Sequence, residues 1–319
     1  MQRLRAGGGR PPETEMLQRC LAAPIAAVRE LEAPRSTSYA VSRLVIDFAD
    51  GRRLDVFHKN FDVSPHPQDV ALSRGKRECF VYENVLAGQA LGTPQLYGVL
   101  WDDAGGYHWL VLEFVPGRKL RRDPGEERIA AARWLGRLHR RIPLEAIDQP
   151  GPLLNYDRTY FADTAERAVS AVQARFADHY RQLDAALSDY ETIVHQICSS
   201  EPTLVHGSYR AKNIIVDASG EAIRICPADW ELAAVGPRLH DLAFIADGCD
   251  AGLVERLCES YADEAGLQVF EIDQMLAQLD RLRLHKALRS LARSFDWDYP
   301  PETVAKLVTR IQRIRNRLG

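Results

Sequence analysis

The pattern of apolar and polar residues changes near residue 116. Before it, short alternating runs rich in β-branched residues are separated by turn residues, which predicts strands. Two hairpins are expected, turning at Ala49-Asp50-Gly51 and at 102–106, with a helix inserted between them. Another helix is expected over Glu15 to Ala33, with a kink at Pro24. The first part is therefore predicted to be mainly an antiparallel sheet.

Beyond residue 116, apolar residues recur at helical spacing. One buried helix face is predicted by a stripe with intervals of four and three, formed by Leu183, Leu187, Tyr190, Val194 and Ile197. Further helices are expected over 126–141, 160–172, 251–265, 271–294 and 302–317. A strand-rich segment, 203–231, interrupts them. The two patterns together predict an α+β fold with a mainly helical second part.

Composition narrows the class of protein. The 319 residues suffice for two lobes and a large core, and 46% hydrophobic with 27% charged residues is typical of a soluble globular protein. A net charge of −3 gives no general attraction to nucleic acid or to an anionic membrane. Every apolar run is too short to span a bilayer. We expect neither nucleic acid nor membrane as a partner, and either a monomer or a homodimer.

The cysteines and the first residues bear on location and organisation. The 6 cysteines include no pair at metal-ligand spacing, which indicates reduced thiols and a cytoplasmic protein. Residues 1–14 are rich in Arg, Gly and Pro and lack the apolar centre of a signal peptide. We expect them to be a disordered leader, followed by two parts over 15–116 and 117–319.

Charge is unevenly distributed in the last third of the chain. Residues 241–280 contain 10 Asp or Glu and 1 Lys or Arg, whereas 281–319 contain 10 Lys or Arg and 3 Asp or Glu. Solvated helix faces that neutralise one another are one interpretation. The other is an acidic wall that attracts a cationic substrate, an argument that spatial pairing of the two segments would remove. The terminal arginines alternate with apolar residues and lack an aromatic platform, so they do not indicate nucleic-acid binding.

The strongest chemical signal lies in the segment that ends at Asn213 and in the acid Asp229. Asn213 directly precedes a predicted strand, 214–216, and Asp229 follows the next strand, 223–226. We therefore expect the two side chains to lie beside one another at strand ends. An amide oxygen and a carboxylate suit Mg²⁺, which takes few protein ligands and completes its shell with water and phosphate. Asn213 and Asp229 are the candidate metal ligands, and Asp229 is also a candidate catalytic residue.

His206-Gly207, with Asn213 five residues after Ser208, follows the pattern of a kinase catalytic loop. In that loop an aspartate orients the substrate hydroxyl or accepts its proton, but this chain has Ser208 there. Arg210 is a candidate for neutralising charge on the transferred phosphoryl group, or else a surface cation. Ser208 and Arg210 are thus candidate catalytic residues. His206 is expected to brace the loop, and Asp241 to cap a helix or to hydrogen-bond the loop.

An ion pair is predicted in the first part of the chain. Lys59 ends a predicted strand, and Glu78 on the following helix is its expected partner, with Glu83 as the rival. Such a pair holds an ammonium group against the phosphates of a nucleotide. Lys59 and Glu78 are therefore candidate nucleotide-binding residues, although an isolated lysine at a strand end is usually only solvated.

Two weaker nucleotide-binding signals accompany this pair. Extended backbone around Glu113 and Val115 could hydrogen-bond an adenine edge, although a plain core strand fits the same residues. Ser38 ends a Ser-Thr-Ser run at the position of a phosphate-covering loop, where an ordinary turn fits as well. Ser38, Glu113 and Val115 complete the candidate nucleotide site.

Taken in order over residues 35 to 250, these motifs resemble the aminoglycoside phosphotransferase family, small-molecule and antibiotic kinases with a protein-kinase-like fold. The resemblance is carried by Lys59, Arg77-Glu78 with Phe80 and Tyr82, 112–117, 135–139, His206-Gly207 with Asn213, Asp229-Trp230-Glu231, Gly236-Pro237 and Asp241-Leu242-Ala243. It implies a nucleotide-binding lobe over 15–116 and a catalytic and substrate-binding lobe over 117–319. It also implies ATP or GTP as co-substrate, Mg²⁺, and a hydroxyl acceptor.

The acceptor is left open by the resemblance, since members of the family act on aminoglycosides, macrolides, nucleoside antibiotics, choline, homoserine and sugars. The departure from the family is Ser208, where its members normally carry aspartate. Phosphoryl transfer has a loose transition state and needs little help from a base, and Glu231, Asp217 or a carboxylate on the substrate are alternative bases. An active kinase of the antibiotic-resistance type is therefore expected. The alternative is a nucleotide-binding pseudokinase with weak or no transfer.

Overall fold

The structure is a computed structural model that describes residues 14–31, 38–121, 125–147, 151–267, 272–294 and 298–318. Of the expected disordered leader, only Thr14 falls within these ranges, and it begins a helix. Ser36 and Thr37 also lie outside the described residues, so that only Ser38 of their run is described.

Strands and helices are numbered in chain order. The strands within the described residues are β1 (Ile25–Leu31), β2 (Ala40–Phe48), β3 (Arg53–Asn60), β4 (Leu96–Asp102), β5 (Tyr107–Glu113), β6 (Arg118–Lys119), β7 (Leu154–Asn155), β8 (Pro202–Val205), β9 (Ile214–Asp217), β10 (Arg224–Pro227) and β11 (Ala234–Pro237). The α-helices there are α1 (Thr14–Leu21), α2 (Gln68–Phe80), α3 (Gly125–Arg141), α4 (Arg158–Arg175), α5 (Ala177–Ala186), α6 (Tyr190–Ile197), α7 (Leu242–Ile245), α8 (Ala251–Ala265), α9 (Ile272–Ala292) and α10 (Pro301–Leu318).

Contacts group the chain into two units. The first contains Met1–Lys119 and Ile214–Leu232, and the second contains Leu120–Asn213 and Ala233–Gly319. Strand pairing explains the discontinuity, because β9 pairs with both β6 and β10 in one antiparallel sheet. Each predicted lobe, 15–116 or 117–319, is one continuous segment of the sequence, whereas each unit defined by contacts consists of two segments.

The first unit is built on a five-stranded antiparallel sheet in the order β1-β2-β3-β5-β4. Both predicted hairpins are present, as β2–β3 and β4–β5. Alternate residues of the strands supply a core that includes Leu44, Ile46 and Val56, and α1 adds Met16 and Leu17 to it. β3 is the middle strand, so its register is fixed from both sides by β2 and β5.

The expected helix over 15–33 is wrong beyond Leu21. The helix ends there, Ala22 adopts a left-handed conformation with φ of 51°, and Ile25–Leu31 pairs with β2 as an edge strand. Pro24 lacks an N–H and disfavours continuation of a helix, so it separates the two elements instead of kinking one. Pairing with β2 then satisfies backbone groups that the helix pattern alone did not account for.

The second unit contains α3 to α10 and a small sheet in the order β7-β11-β8. The predicted stripe at 183–197 does form a buried face, but it belongs to two helices, α5 and α6, since the chain turns at Leu187. The α+β class is confirmed, with an antiparallel sheet in one unit and a helical majority in the other. In the part of the chain that the structure describes, no helix is both long and apolar enough to cross a membrane.

Helices α3 and α8 approach each other closely at Gly136. A Cβ atom at this position would lie 2.5 Å from the carbonyl oxygen of Tyr261, which is backbone and cannot turn aside. Glycine therefore sets the distance between the two helices.

We predict that Gly136→Ala lowers the free energy of unfolding by about 1–2 kcal/mol. Overpacking costs ~1–3 kcal/mol and outweighs a gain in helix propensity of up to ~1 kcal/mol. Gly252→Ala is the matched control, because a Cβ there meets its nearest atom, Asp250 Oδ1, at 3.6 Å. Chemical denaturation of both variants would show whether only the Gly136 change destabilises; equal stability of the two would contradict the close contact.

Candidate active site

Lys59 lies at the centre of a buried polar cluster in the first unit. Its Nζ atom is 2.6 Å from Glu78 Oε2 and 2.9 Å from Asp229 Oδ1. The rings of Tyr39 and Phe61 lie beneath the ammonium group, with centroids at 4.6 and 5.5 Å. The ion pair between Lys59 and Glu78 that the sequence predicted is therefore present, and Asp229 is a second partner. We call Lys59, Glu78, Asp229, Glu231 and Tyr39 the Lys59 cluster.

Carboxylates determine the protonation state of this cluster. Burial by itself would lower the pKa of Lys59, but the nearby Asp229, Glu78 and Glu231 raise it well above its usual value. Burial raises the pKa of Glu78 to about 7, against the opposing effect of Lys59. Lys59 therefore keeps its charge, and burial moves the pKa of Glu78 toward neutral pH.

Glu231 anchors the remaining side of the Lys59 cluster. The Tyr39 hydroxyl donates to Glu231 Oε2 at 3.1 Å, and Arg74 lies 3.8 Å from the same oxygen. The backbone carbonyl of Glu231 accepts a hydrogen bond from Arg77 Nη1 at 2.5 Å. Through these contacts α2, which carries Arg74, Arg77 and Glu78, fixes the segment that carries Asp229.

Asp229 has a left-handed backbone with φ of 71°. This conformation costs a non-glycine residue about 1–2 kcal/mol, although aspartate tolerates it better than most. Its side chain is 32% exposed, while the side chains of Lys59 and Glu78 are 6% and 2% exposed, so within this set Asp229 is the acid that solvent reaches. Backbone strain of this kind is concentrated at functional sites.

The other candidate nucleotide residues have structural contacts in the first unit. Both oxygens of Glu113 accept hydrogen bonds from Arg224 at 2.7 Å, and the Glu113 N–H donates to the Gln95 carbonyl. The Val115 carbonyl accepts from the Gly117 N–H, and the Ser38 carbonyl accepts from the Ser64 hydroxyl. Nucleotide binding by Glu113, Val115 and Ser38 stays a prediction. Arg224 was missed, and its only sequence signal is a charge within an apolar strand.

In the second unit, Asp241 holds the loop His206–Asn213, which we call the Ser208 loop. The two oxygens of Asp241 accept the backbone N–H groups of His206 and Gly207, at 2.5 and 3.1 Å. Burial would raise the pKa of Asp241, but His240 and His206 lower it on balance, so the carboxylate is ionised and accepts both bonds. Gly207 has φ of 73°, which glycine adopts without strain. Asp241 therefore binds the loop, and its side chain makes no capping bond to α7.

Ser208 and Asn213 are joined within this loop. The Asn213 side-chain nitrogen donates to the Ser208 carbonyl at 3.0 Å and lies 3.3 Å from the Ser208 hydroxyl. The Ser208 carbonyl also accepts the Arg210 N–H at 2.7 Å. These bonds use the amide nitrogen of Asn213 and leave its oxygen, a hard donor suited to Mg²⁺, as the atom for a cation. Asn213 belongs to the second unit and Asp229 to the first, so their joint ligation of a metal stays a prediction.

Two supports of the Ser208 loop were not identified from the sequence. The buried Arg289 of α9 donates from Nη1 to the Gly207 carbonyl at 3.1 Å. The Tyr209 hydroxyl donates to the Ala131 carbonyl, and its ring stacks on Trp134 with centroids 5.9 Å apart. Arg289 lies seven residues after the buried Leu282 and therefore on the same face of the helix. A charged residue at a position where the helical spacing predicts an apolar one was the sequence signal for this support.

Comparison with known proteins gives a family and a fold. The model of the phosphotransferase enzyme family matches residues 81–286, whereas no curated protein sequence matches. The chain is similar to the GDP complex of wild-type aminoglycoside 2'-phosphotransferase-IIIa, with 14% identity, coverage of 96% of this chain and 98% of that chain, and a TM-score of 0.64.

Two further solved structures are similar to the chain. The choline kinase from Cryptosporidium parvum has 13% identity, coverage of 92% of this chain and 90% of that chain, and a TM-score of 0.59. The macrolide 2'-phosphotransferase from Brachybacterium faecium has 14% identity, coverage of 88% and 92%, and a TM-score of 0.57. At such low identities the likeness establishes the fold, and the protein-kinase-like fold expected from the resemblance is confirmed.

We predict that Asp241→Asn destabilises the protein by about 2 kcal/mol. In asparagine one carboxylate oxygen is replaced by an NH₂ group, which donates hydrogen bonds and cannot accept them. One of the two buried backbone N–H groups would therefore lose its acceptor. Denaturation should show the loss, and amide hydrogen exchange at His206 and Gly207 should accelerate. Asp250→Asn is the control, because Asp250 is an exposed N-cap of α8 and asparagine caps equally well. Equal effects of the two substitutions would contradict the assigned role of Asp241.

Proposed function

The chain belongs to the phosphotransferase enzyme family, a class that phosphorylates hydroxyl groups, and we propose that its donor is ATP or GTP and its acceptor a small antibiotic-like or metabolite molecule. The observation that carries the proposal is the Lys59 cluster, in which one buried ammonium group is held by Glu78 and Asp229. A lysine fixed in this way by a helix glutamate is the arrangement that orients nucleotide phosphates in kinases.

The roles proposed for the remaining residues follow from their chemistry. Asp229 and Asn213 each offer a hard oxygen to Mg²⁺, which usually takes one or two protein ligands and several phosphate or water oxygens. Bound Mg²⁺ would neutralise charge on the phosphate oxygens. Within the described residues no group of three or more His, Cys, Asp or Glu side chains is arranged to hold a metal. The proposed Mg²⁺ site does not require such a group, because phosphate and water oxygens would supply most of its ligands.

A nucleotide co-substrate is supported by the GDP complex of the aminoglycoside 2'-phosphotransferase, which shares the fold. We propose that the base lies along the backbone at Glu113 and Val115, with Ser38 near the phosphates. The Arg224 bonds to the Glu113 carboxylate would keep that end of β5 rigid. The choice between ATP and GTP depends on the base edge, which these backbone contacts would read.

The proposed transfer needs no protein base. A bond forms between the acceptor oxygen and the γ-phosphorus, and the bond to the β–γ bridging oxygen breaks, so that its electron pair leaves with the nucleoside diphosphate. The hydroxyl proton is released to solvent, because Ser208 cannot accept it as a carboxylate would. Positioning and charge neutralisation supply most of the catalysis in this chemistry, which is why Ser208 does not preclude it.

The acidic run at 241–280 does not support a cationic acceptor. Asp247 is paired with Lys286 and Arg310, and Asp280 is paired with Arg283 and Arg317. The basic helices α9 and α10 therefore neutralise these two of the ten acids within the second unit, which weakens the case for an acidic wall. We retain the cytoplasm as the proposed location, supported by the absence of disulfides among the 6 cysteines, all of which are free thiols.

Ser208 also motivates the alternative of a nucleotide-binding pseudokinase. In that case Mg·ATP or Mg·GTP would stabilise the protein against heat, and no acceptor would yield product. The two functions share nucleotide binding and differ only in turnover, so both quantities have to be measured on the same variants.

We predict that Asp229→Asn lowers transfer by about a thousandfold, because it removes a carboxylate that would hold Mg²⁺ and that also compensates Lys59. Product formation with each nucleotide across aminoglycosides, macrolides and nucleoside antibiotics would be measured beside nucleotide-dependent thermal shifts. Asp50→Asn, at an exposed hairpin turn, is the control and should leave both readouts unchanged. Full turnover by Asp229→Asn would falsify the proposal, whereas a thermal shift without product in the wild type would establish the pseudokinase.

A further inference from the structure

Three cations surround one buried aromatic ring in the second unit. Arg210, Lys286 and Arg289 lie over Phe244, with distances of 5.2, 4.9 and 5.8 Å from the charged group to the ring centroid. Phe244 belongs to α7 and is 6% exposed. We call these four residues the Phe244 cluster. The ring provides some stabilisation to each cation, but it carries no negative charge.

The Phe244 cluster lies against the Ser208 loop. Arg210 is part of that loop, and Arg289 donates to the Gly207 carbonyl at 3.1 Å. Lys286 and Arg289 are three residues apart on α9, so they lie on the same face of the helix, and Arg293 is the first residue after its end. The cations are therefore assembled beside the position where a kinase of this family accepts its substrate hydroxyl.

Two acids near the cluster, Asp247 and Asp241, balance only part of its positive charge. The Asp247 carboxylate forms a salt bridge with Lys286 at 2.7 Å, and it also forms one with Arg310. Arg210 Nε is buried and has no hydrogen-bond partner among the described residues. Burial, followed by the positive charges of Arg289 and Arg293, lowers the pKa of Arg210 to about 10, and burial lowers the pKa of Lys286 to about 8. Like charges held together in this way cost free energy unless an anion joins them.

We propose that the Phe244 cluster binds an anionic group of the hydroxyl acceptor, a carboxylate or a phosphate, so that the substrates are hydroxy acids or phosphorylated alcohols. The inference rests on the proposed function, since it names the class of acceptor for that reaction. Arg210 supplies a guanidinium whose Nε has no partner in the part of the chain that the structure describes, and Lys286 supplies a second cation beside the same ring. A cationic acceptor would be repelled from this place.

Ser208 fits this class of acceptor better than an aspartate would. A carboxylate at position 208 would sit in the same loop as Arg210 and would neutralise part of the cluster. It would also repel an anionic acceptor. The serine leaves the positive charge available to the substrate, so the departure from the family pattern and the cation cluster have one explanation.

The γ-phosphate of the nucleotide is the other source of an anion for these cations. Four acceptor probes share a three-carbon skeleton and differ in charge: glycerate, glycerol 3-phosphate, glycerol and 3-amino-1,2-propanediol. Their binding to the full chain would be measured by calorimetry without nucleotide, at constant ionic strength. We expect the two anions to bind at least about tenfold more tightly than glycerol, and the amine not to bind. Equal binding of all four compounds, or binding of none, overturns the inference.

Variants assign the binding to the Phe244 cluster. Lys286→Gln within the cluster and, independently, Arg293→Gln beside it, whose charge lowers the pKa of Arg210, should each weaken the anions by about tenfold and leave glycerol unchanged. Arg281→Gln is the matched control, because Arg281 is on the same helix and donates to Gln196 instead. Mg·ATP and Mg·GTP affinities should be unaffected in all three. A loss of nucleotide affinity as large as the loss for the anions assigns the cluster to the nucleotide and overturns the inference.

Ser208→Asp gives a third, opposite test. It should weaken both anionic acceptors by about tenfold, and it should not weaken glycerol. Tighter binding of the anions by this variant contradicts the inference. Because every readout is binding without turnover, a protein that transfers no phosphoryl group but binds the anions through Lys286 would refute the proposed function alone. Transfer confined to neutral or cationic acceptors would refute the anionic acceptor alone.

Discussion

A buried lysine is compatible with a folded protein only when acids compensate its charge, and this constraint organises the first unit. Lys59 lies on the central strand of the sheet and satisfies the requirement with Glu78 from α2 and Asp229 from the returning segment after β10. Three separate parts of the chain are thus tied to one ammonium group. The sheet, the helix and the strained backbone at Asp229 all depend on that compensation.

The second unit solves a comparable problem with an acid. Asp241 is fully buried and accepts hydrogen bonds from two backbone N–H groups of the Ser208 loop. Arg289 donates a hydrogen bond to the Gly207 carbonyl of the same loop. Asp241 and Arg289 hold the loop by its backbone, whereas the Tyr209 hydroxyl and the Asn213 amide nitrogen make side-chain bonds. The bonds from Asp241 and Arg289 do not depend on the side chain at 208.

The two units differ in the sign of the charges that are grouped in each of them. In the first, carboxylates gather around a lysine, as a site for a metal and a phosphate requires. In the second, cations gather around Phe244 beside the Ser208 loop, and Asp247, the acid that pairs with Lys286, is shared with Arg310 of α10. Under the proposal of an anionic acceptor, the absence of a carboxylate at Ser208 is explained by the charge of the substrate.

Local sequence determined much of this protein. Alternation and turn residues gave both hairpins, helical spacing gave α3, α8, α9 and α10, and ordered motifs gave the Lys59–Glu78 pair and the Ser208 loop. The helix over 15–33 failed because its apolar spacing was judged without the strand β2 with which half of it pairs. Only tertiary structure decided that Asp229 reaches Lys59, that Arg289 supports Gly207, and that Asp247 and Asp280 pair with α9 and α10. Those contacts join residues far apart in the chain, and their partners are chosen by packing and by the cost of burying an uncompensated charge, which no local spacing records.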